Sequence, residues 1–304
     1  MGASALPSYE LWRHLQPCSL ERTLYTGRVI FRACSSVAER VTDNYEAEGS
    51  IPSTPTTHVL EPRVIYEDKN FLAVDKPAGL LVHEARSVRH DTQKNASRFV
   101  LHARGNFTLV HWLLTRYPEI RDVGDDPRMR PGIVHRLDRE TSGILLVARN
   151  QKYFTYLKSL FQKHAVQKLY LAFVLGNVKE REGEIRKPIG IKTGTVKRSV
   201  HSEKFLKEAV TRYRVLRHLP GTTLLHVEPE TGRTHQIRVH LASIGHPIIG
   251  DTLYGKSKSR DGKPRATRLM LHALSLEFAT KEGTRMHIEA APPEEFARYL
   301  NSSP

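Results

Sequence analysis

The sequence predicts an α+β fold built on a mixed, largely antiparallel sheet, and three observations carry that expectation. Short runs rich in β-branched and aromatic residues outnumber helical stretches. The two kinds of segment do not alternate as βαβ units would. Turn-forming clusters such as Glu67-Asp-Lys-Asn break the chain between runs.

Taken in order, Arg63 to Tyr66 and Phe71 to Val74 read as two short strands across that turn. Thr108 to Tyr117 predicts a helix, with Thr108 as its cap and Pro118 as its stop. Gly143 to Arg149, apolar up to Ala148, predicts a buried strand. Asn150 caps a helix reaching His164, in which Phe154, Leu157 and Phe161 recur at helical spacing. Lys168 to Leu175 and Val210 to Leu216 read as strands, and Thr234 to Ile244 as a short helix ended by Gly245. Leu271 to Phe278 and Arg285 to Ile288 complete the strands.

Charge divides the 304 residues. Residues 1–60 hold five Arg, no Lys and six acidic residues, whereas the rest of the chain holds 42 basic and 26 acidic ones. A folded unit that basic attracts polyanions through counterion release, and nucleic acid is the commonest such partner. Two cysteines, Cys18 and Cys34, cannot build a disulfide framework and fit a cytoplasmic protein. The longest apolar run, Leu169 to Leu175, is too short to span a bilayer.

Two domains of unequal standing follow. Residues 61–304 are expected to form the folded domain, and residues 1–60 an N-terminal extension. The extension has little periodic apolar pattern and ends in the linker-like run Ser50 to Thr57. Its Cys34 to Thr57 stretch resembles the translation of a transfer-RNA gene, which implies a reading frame extended beyond the true start. A disordered extension, or a reduced S4-type RNA-binding module around Ser19 to Arg22 and Gly27 to Val29, are the other readings. Within the domain, Glu84 to Phe107 and Gly255 to Arg268 read as basic loops, the second carrying Lys256 and Lys258.

The chemistry concentrates in Gly132 to Arg149. A polar turn crowded with charge stands directly before a buried strand, and Asp138 lies between Arg136 and Arg139. Flanking guanidinium groups favour the ionised carboxylate. Such an acid is a candidate nucleophile, although an aspartate in a basic turn is more often a surface ion pair.

The run His135-Arg-Leu-Asp-Arg-Glu-Thr-Ser-Gly-Ile-Leu-Leu-Val-Ala-Arg149 resembles the signature of RluA-type pseudouridine synthases. Further blocks resemble that family in order. They are Arg63 to Asp68 with Leu72 to Gly79, Lys168 to Ala172, Glu230 to Leu241, Gly245 to Gly255, and Leu271 to Ala273. The resemblance implies a single synthase domain around a bent sheet with a central cleft. It also implies isomerisation of uridine to pseudouridine without metal or cofactor. By position, Asp138 is the catalytic carboxylate, Tyr170 stacks on the uracil, and Arg238 pairs with Asp138. Arg136 fills the gap left by a flipped base, because the glycosidic bond is out of reach inside a stacked helix. Arg139, Lys168, Arg233 and His235 are assigned to RNA contact, together with Lys256 and Lys258. The implied partner is structured RNA, a ribosomal or transfer-RNA stem-loop, met by a monomer.

Two rivals are weaker. A glycoside hydrolase pairing Asp138 with Glu140 or Glu228 needs one acid with a raised pKa, which the surrounding arginines oppose. A non-catalytic RNA-binding protein on the same scaffold would have lost Asp138, Tyr170 or Arg238, and all three are present.

Overall fold

The computed structural model describes residues 28–32 (as backbone), 61–84, 107–191, 197–200, 202, 205–255 and 266–301. Twelve strands are described: β1 (Arg28–Arg32), β2 (Arg63–Glu67), β3 (Phe71–Lys76), β4 (Ser142–Ala148), β5 (Gln167–Leu175), β6 (Glu182–Arg186), β7 (Gly190–Ile191), β8 (Arg198–Ser199), β9 (Val210–Leu219), β10 (Thr222–Pro229), β11 (Leu271–Ala279) and β12 (Arg285–Glu289). Four α-helices join them: α1 (Leu109–Arg116), α2 (Gln151–Gln162), α3 (Gln236–Ser243) and α4 (Glu294–Asn301).

The main sheet runs β2-β3-β4-β11-β5-β10-β9-β6. Its pairs are antiparallel except β4 with β11 and β1 with β12, so the sheet is mixed and largely antiparallel, as expected. Strand β11 is where it divides. His272 and Ala273 pair with β4, then Ser275 to Ala279 leave it and pair with β12. That close approach needs Gly143, whose φ is 112° and whose added Cβ would strike the Ala273 carbonyl oxygen.

Local chemistry accounts for the helix ends. Thr108 and His111 form a reciprocal capping box on α1, and Pro118 follows its C-terminus. The Asn150 side chain accepts the Tyr153 N–H at 2.9 Å at the start of α2. Strand β4 is buried along its whole length between β3 and β11, which is why it reads as an unbroken apolar run.

Two hydrophobic cores result. One joins β3 and β4 to α1 and α2 and to the later part of β11. The other joins β5, β10, α3 and α4. Tyr170 packs against both, at the seam between them. No described helix is long and apolar enough to cross a membrane.

Several elements depart from the expectation drawn from sequence. Arg28–Arg32, from the segment expected to stand apart, lies parallel to β12 with Arg28 opposite Arg285. Backbone pairing of that kind leaves no mark in composition. The remainder of residues 1–60 lies outside the described residues. So does most of both basic loops, including Lys256 and Lys258. The sequence pattern predicts neither strands β6, β7, β8 and β10 nor helix α4.

Candidate active site

A cleft of about 570 Å³ opens at the seam between the cores. Asp138, Tyr170 and Arg238 all line it, and so do Arg136, Lys168, Arg233 and His235. Residues far apart in sequence therefore share one concave surface. Arg139 does not join them: its Nε donates to the Gly79 carbonyl at 3.0 Å, and the side chain is exposed.

Asp138 sits on the turn before β4, and the backbone of that turn is tied down from below. Gly79 N–H donates to the Arg139 carbonyl at 2.7 Å. Lys76, fully buried, donates to the carbonyls of Pro77 and Leu80 at 2.9 Å and of Arg139 at 3.2 Å. Burial, followed by the nearby charge of Arg268, brings the Lys76 pKa down to about 7. Just after the turn, Ser142 Oγ accepts from Arg268 Nη2 at 2.6 Å and lies 2.9 Å from His272 Nδ1. The other ring nitrogen of His272 lies 3.0 Å from the Ala290 carbonyl. His135, three residues before Asp138, accepts the Leu146 N–H at 2.8 Å and stacks on Phe161.

The Asp138 side chain is held more loosely than its backbone. Oδ2 lies 3.6 Å from Arg238 Nη1, and Oδ1 lies 3.9 Å from His235 Nε2. Both distances exceed a normal hydrogen bond. Its side chain is 16% exposed, so its oxygens face the cleft without being released to bulk water.

Arg238 is held tightly, by an acid the sequence reading did not single out. Asp251 receives Nε at 2.8 Å and Nη2 at 2.9 Å, a bidentate pair in which both side chains are buried. Asp251 Oδ1 also accepts the N–H groups of Leu253 and Tyr254. Burial works against the charge of Arg238, but Asp251, with Asp138 and Glu140 beyond it, outweighs that and raises its pKa. Burial likewise works to raise the Asp251 carboxyl, and the bonds from Arg238 carry it below its ordinary value.

The remaining groups are fixed through their own contacts. Lys168 donates to the carbonyls of Glu230 and Thr231 at 3.1 and 3.4 Å, and burial lowers its pKa to about 8. Burial, then the Asp138 charge, holds the Tyr170 phenol well above the usual tyrosine range. Arg233 Nε donates to the Glu208 carbonyl at 3.0 Å. The Gln236 amide accepts from Thr231 Oγ1 and Arg233 N–H, and donates to Val210 O and Thr211 Oγ1, which fixes the turn leading into α3. Among the described residues, no group of three or more His, Cys, Asp or Glu is placed to hold a metal ion.

Asp251 carried a weak signal. It lies in the Gly250-Asp-Thr-Leu-Tyr run, where a glycine followed by an aspartate suggests a turn capped by the aspartate side chain. Its pairing with an arginine thirteen residues earlier carried none.

Residues 70–243 match the family model described as RNA pseudouridylate synthase. The chain is 36% identical over 250 residues to the ribosomal large subunit pseudouridine synthase D of Nitrosomonas europaea, covering 79% of this chain and 64% of that protein. It is 36% identical over 266 residues to the protein of the same name from Pseudomonas aeruginosa, covering 84% and 76% of the two chains. Among solved structures, human RNA pseudouridylate synthase domain containing 1 is similar, with a TM-score of 0.58 and 25% identity over 80% of this chain and 96% of that one.

Proposed function

Since the chain belongs to the RNA pseudouridylate synthase family, we propose that it converts uridines of large-subunit ribosomal RNA to pseudouridine, with Asp138 as the reacting carboxylate. The synthases named from Nitrosomonas europaea and Pseudomonas aeruginosa support that choice of RNA. Residues 61–304 are the catalytic domain of this reading, acting as a monomer in the cytoplasm.

The reaction is an isomerisation. The N1–C1′ bond breaks, the uracil turns, C5 bonds to C1′, and the proton leaving C5 is balanced by one gained at N1. Asp138 either attacks the sugar or base, or removes a sugar proton. Arg238, anchored by Asp251, supplies a fixed positive charge beside it. Tyr170 enters as a protonated phenol and stacks on the uracil. Arg136, exposed at the cleft mouth, fills the space of the flipped base. Lys168 and Arg233 on the cleft wall contact the RNA, and Lys256 and Lys258, which lie outside the described residues, are assigned to it from sequence.

The observation that carries this reading is the position of Asp138. It stands inside the cleft, with one oxygen toward a clamped arginine and neither oxygen in a hydrogen bond among the described residues. Asp138→Asn preserves shape and removes the anion. Turnover on ribosomal RNA should fall by at least about 10³-fold, with RNA binding retained. Pseudouridine formation by a purified Asn variant near the wild-type rate would defeat the assignment.

A further inference from the structure

Besides Arg238, a second polar chain ends on Asp138. His235 caps α3 with a φ of 56°, a left-handed conformation that costs a non-glycine residue about 1–2 kcal/mol. Glycine or asparagine would adopt it more cheaply, so the imidazole itself has a use there. Its Nδ1 lies 2.9 Å from Tyr254 Oη. That phenol oxygen accepts the Arg198 backbone N–H at 2.9 Å, and the Arg238 guanidinium lies 5.4 Å from the ring centre. Asp251, which clamps Arg238, also accepts the Tyr254 N–H at 3.0 Å, so one carboxylate places both side chains.

Proton placement follows from these partners. Burial holds the Tyr254 phenol above its ordinary pKa and the His235 imidazole below its own, so both are neutral at pH 7. With Arg198 donating to Oη, the phenol is free to give its own hydrogen to Nδ1 of His235. The imidazole proton then resides on Nε2, the nitrogen 3.9 Å from Asp138 Oδ1. The opposite tautomer would turn a lone pair toward a carboxylate.

Resting on the reading that this cleft makes pseudouridine, we infer that His235 is a positioning residue for Asp138, its Nε2–H tautomer set by Tyr254. A carboxylate restrained at one oxygen can still swing about its terminal torsion. Arg238 addresses Oδ2 and His235 addresses Oδ1, and together they fix the plane in which Asp138 meets the ribose. The present separation shortens by about 1 Å to become a hydrogen bond when substrate fills the cleft. His235 then serves the carboxylate rather than an RNA phosphate, which revises the role expected from sequence.

Three variants and one spectrum test this. In single-turnover assays, His235→Ala should lose about 10²-fold in rate while RNA affinity stays near wild type. His235→Gln, whose amide N–H stands near the place of Nε2–H, should recover most of that loss. Tyr254→Phe should be intermediate. In ¹⁵N-histidine spectra of the wild-type protein, the signal lost in His235→Gln should be that of an Nε2–H tautomer, and Tyr254→Phe should convert it to a mixture. An Nδ1–H signal in the wild type, a Gln variant as slow as Ala, or a loss confined to RNA affinity would each overturn the inference. The spectrum needs no turnover, so a wild-type protein that made no pseudouridine would count against the proposed activity and leave the His235 geometry to be judged by its tautomer.

Discussion

The two walls of the cleft restrain their key side chains in opposite ways. On the wall built from β3 and β4, the backbone is fixed and the side chain is not. Lys76 and Gly79 bind the carbonyl of Arg139, yet Asp138 itself makes only contacts of 3.6 and 3.9 Å. On the wall built from β10 and α3, the side chain is the fixed part. Arg238 is 1% exposed and held at two nitrogens by Asp251. A group whose bonding changes during reaction needs unoccupied oxygens, whereas a group that supplies field needs immobility. The costs differ too. A buried ion pair loses several kcal/mol of hydration per ion and is favourable only with geometry as good as this bidentate one.

Breaking the arginine wall should have the largest effect on folding. Asp251→Ala leaves Arg238 buried without its main partner and strips acceptors from the N–H groups of Leu253 and Tyr254. A loss of about 3–5 kcal/mol is expected in urea unfolding. A variant within 1 kcal/mol of wild type by the same titration, roughly the net worth of one ordinary hydrogen bond, would mean that Arg238 is held by something else.

The carboxylate wall should give way by smaller steps. Ser142→Ala removes the acceptor of Arg268 and the hydroxyl beside His272, and should cost about 1–3 kcal/mol. If its unfolding curve overlays the wild type, that network does not support the turn.

Acid should weaken the same wall through His135. Burial lowers its pKa from 6.5 to about 3, so the folded protein leaves it neutral across that range. The unfolded chain takes up the proton near its unperturbed value of about 6.5. Stability from this group is therefore complete above that pH and falls as pH drops toward 3, by at most about 1.4 kcal/mol per pH unit. Replacing His135 with Gln, which keeps an acceptor but does not titrate, should flatten the acid limb of a stability–pH curve; an unchanged limb would assign it to other groups.

The same contrast explains how much could be read in the sequence. The carboxylate wall is nearly contiguous, with His135, Asp138, Ser142 and the fully buried strand that Ser142 begins in one run, so its order along the chain is its order in space. The arginine wall is assembled from pieces. Helix α3 buries Gln236, Arg238 and His240 among its apolar residues, which blurs the hydrophobic periodicity that would show its inward face. Asp251 reads as an ordinary turn aspartate because its backbone contacts are local, while its contact with Arg238 is tertiary. Strand β10 is buried at seven of its eight positions, and Thr, Leu, His and Val together give no alternation to detect. The parallel pairing of β1 with β12 joins Arg28 to Arg285 across most of the chain, which local sequence pattern does not reveal.

Of the acids beside Arg238, two have separate tasks, with Asp251 holding the structure and Asp138 performing the chemistry. The most direct measurement is a paired one: urea unfolding and single-turnover pseudouridine formation on ribosomal RNA for Asp138→Asn and Asp251→Asn. The Asp138 variant should unfold like the wild type and make no pseudouridine. The Asp251 variant should unfold at markedly lower urea while retaining measurable turnover under conditions where it remains folded. An Asp138 variant that is destabilised yet active, or an Asp251 variant of wild-type stability, would contradict that division.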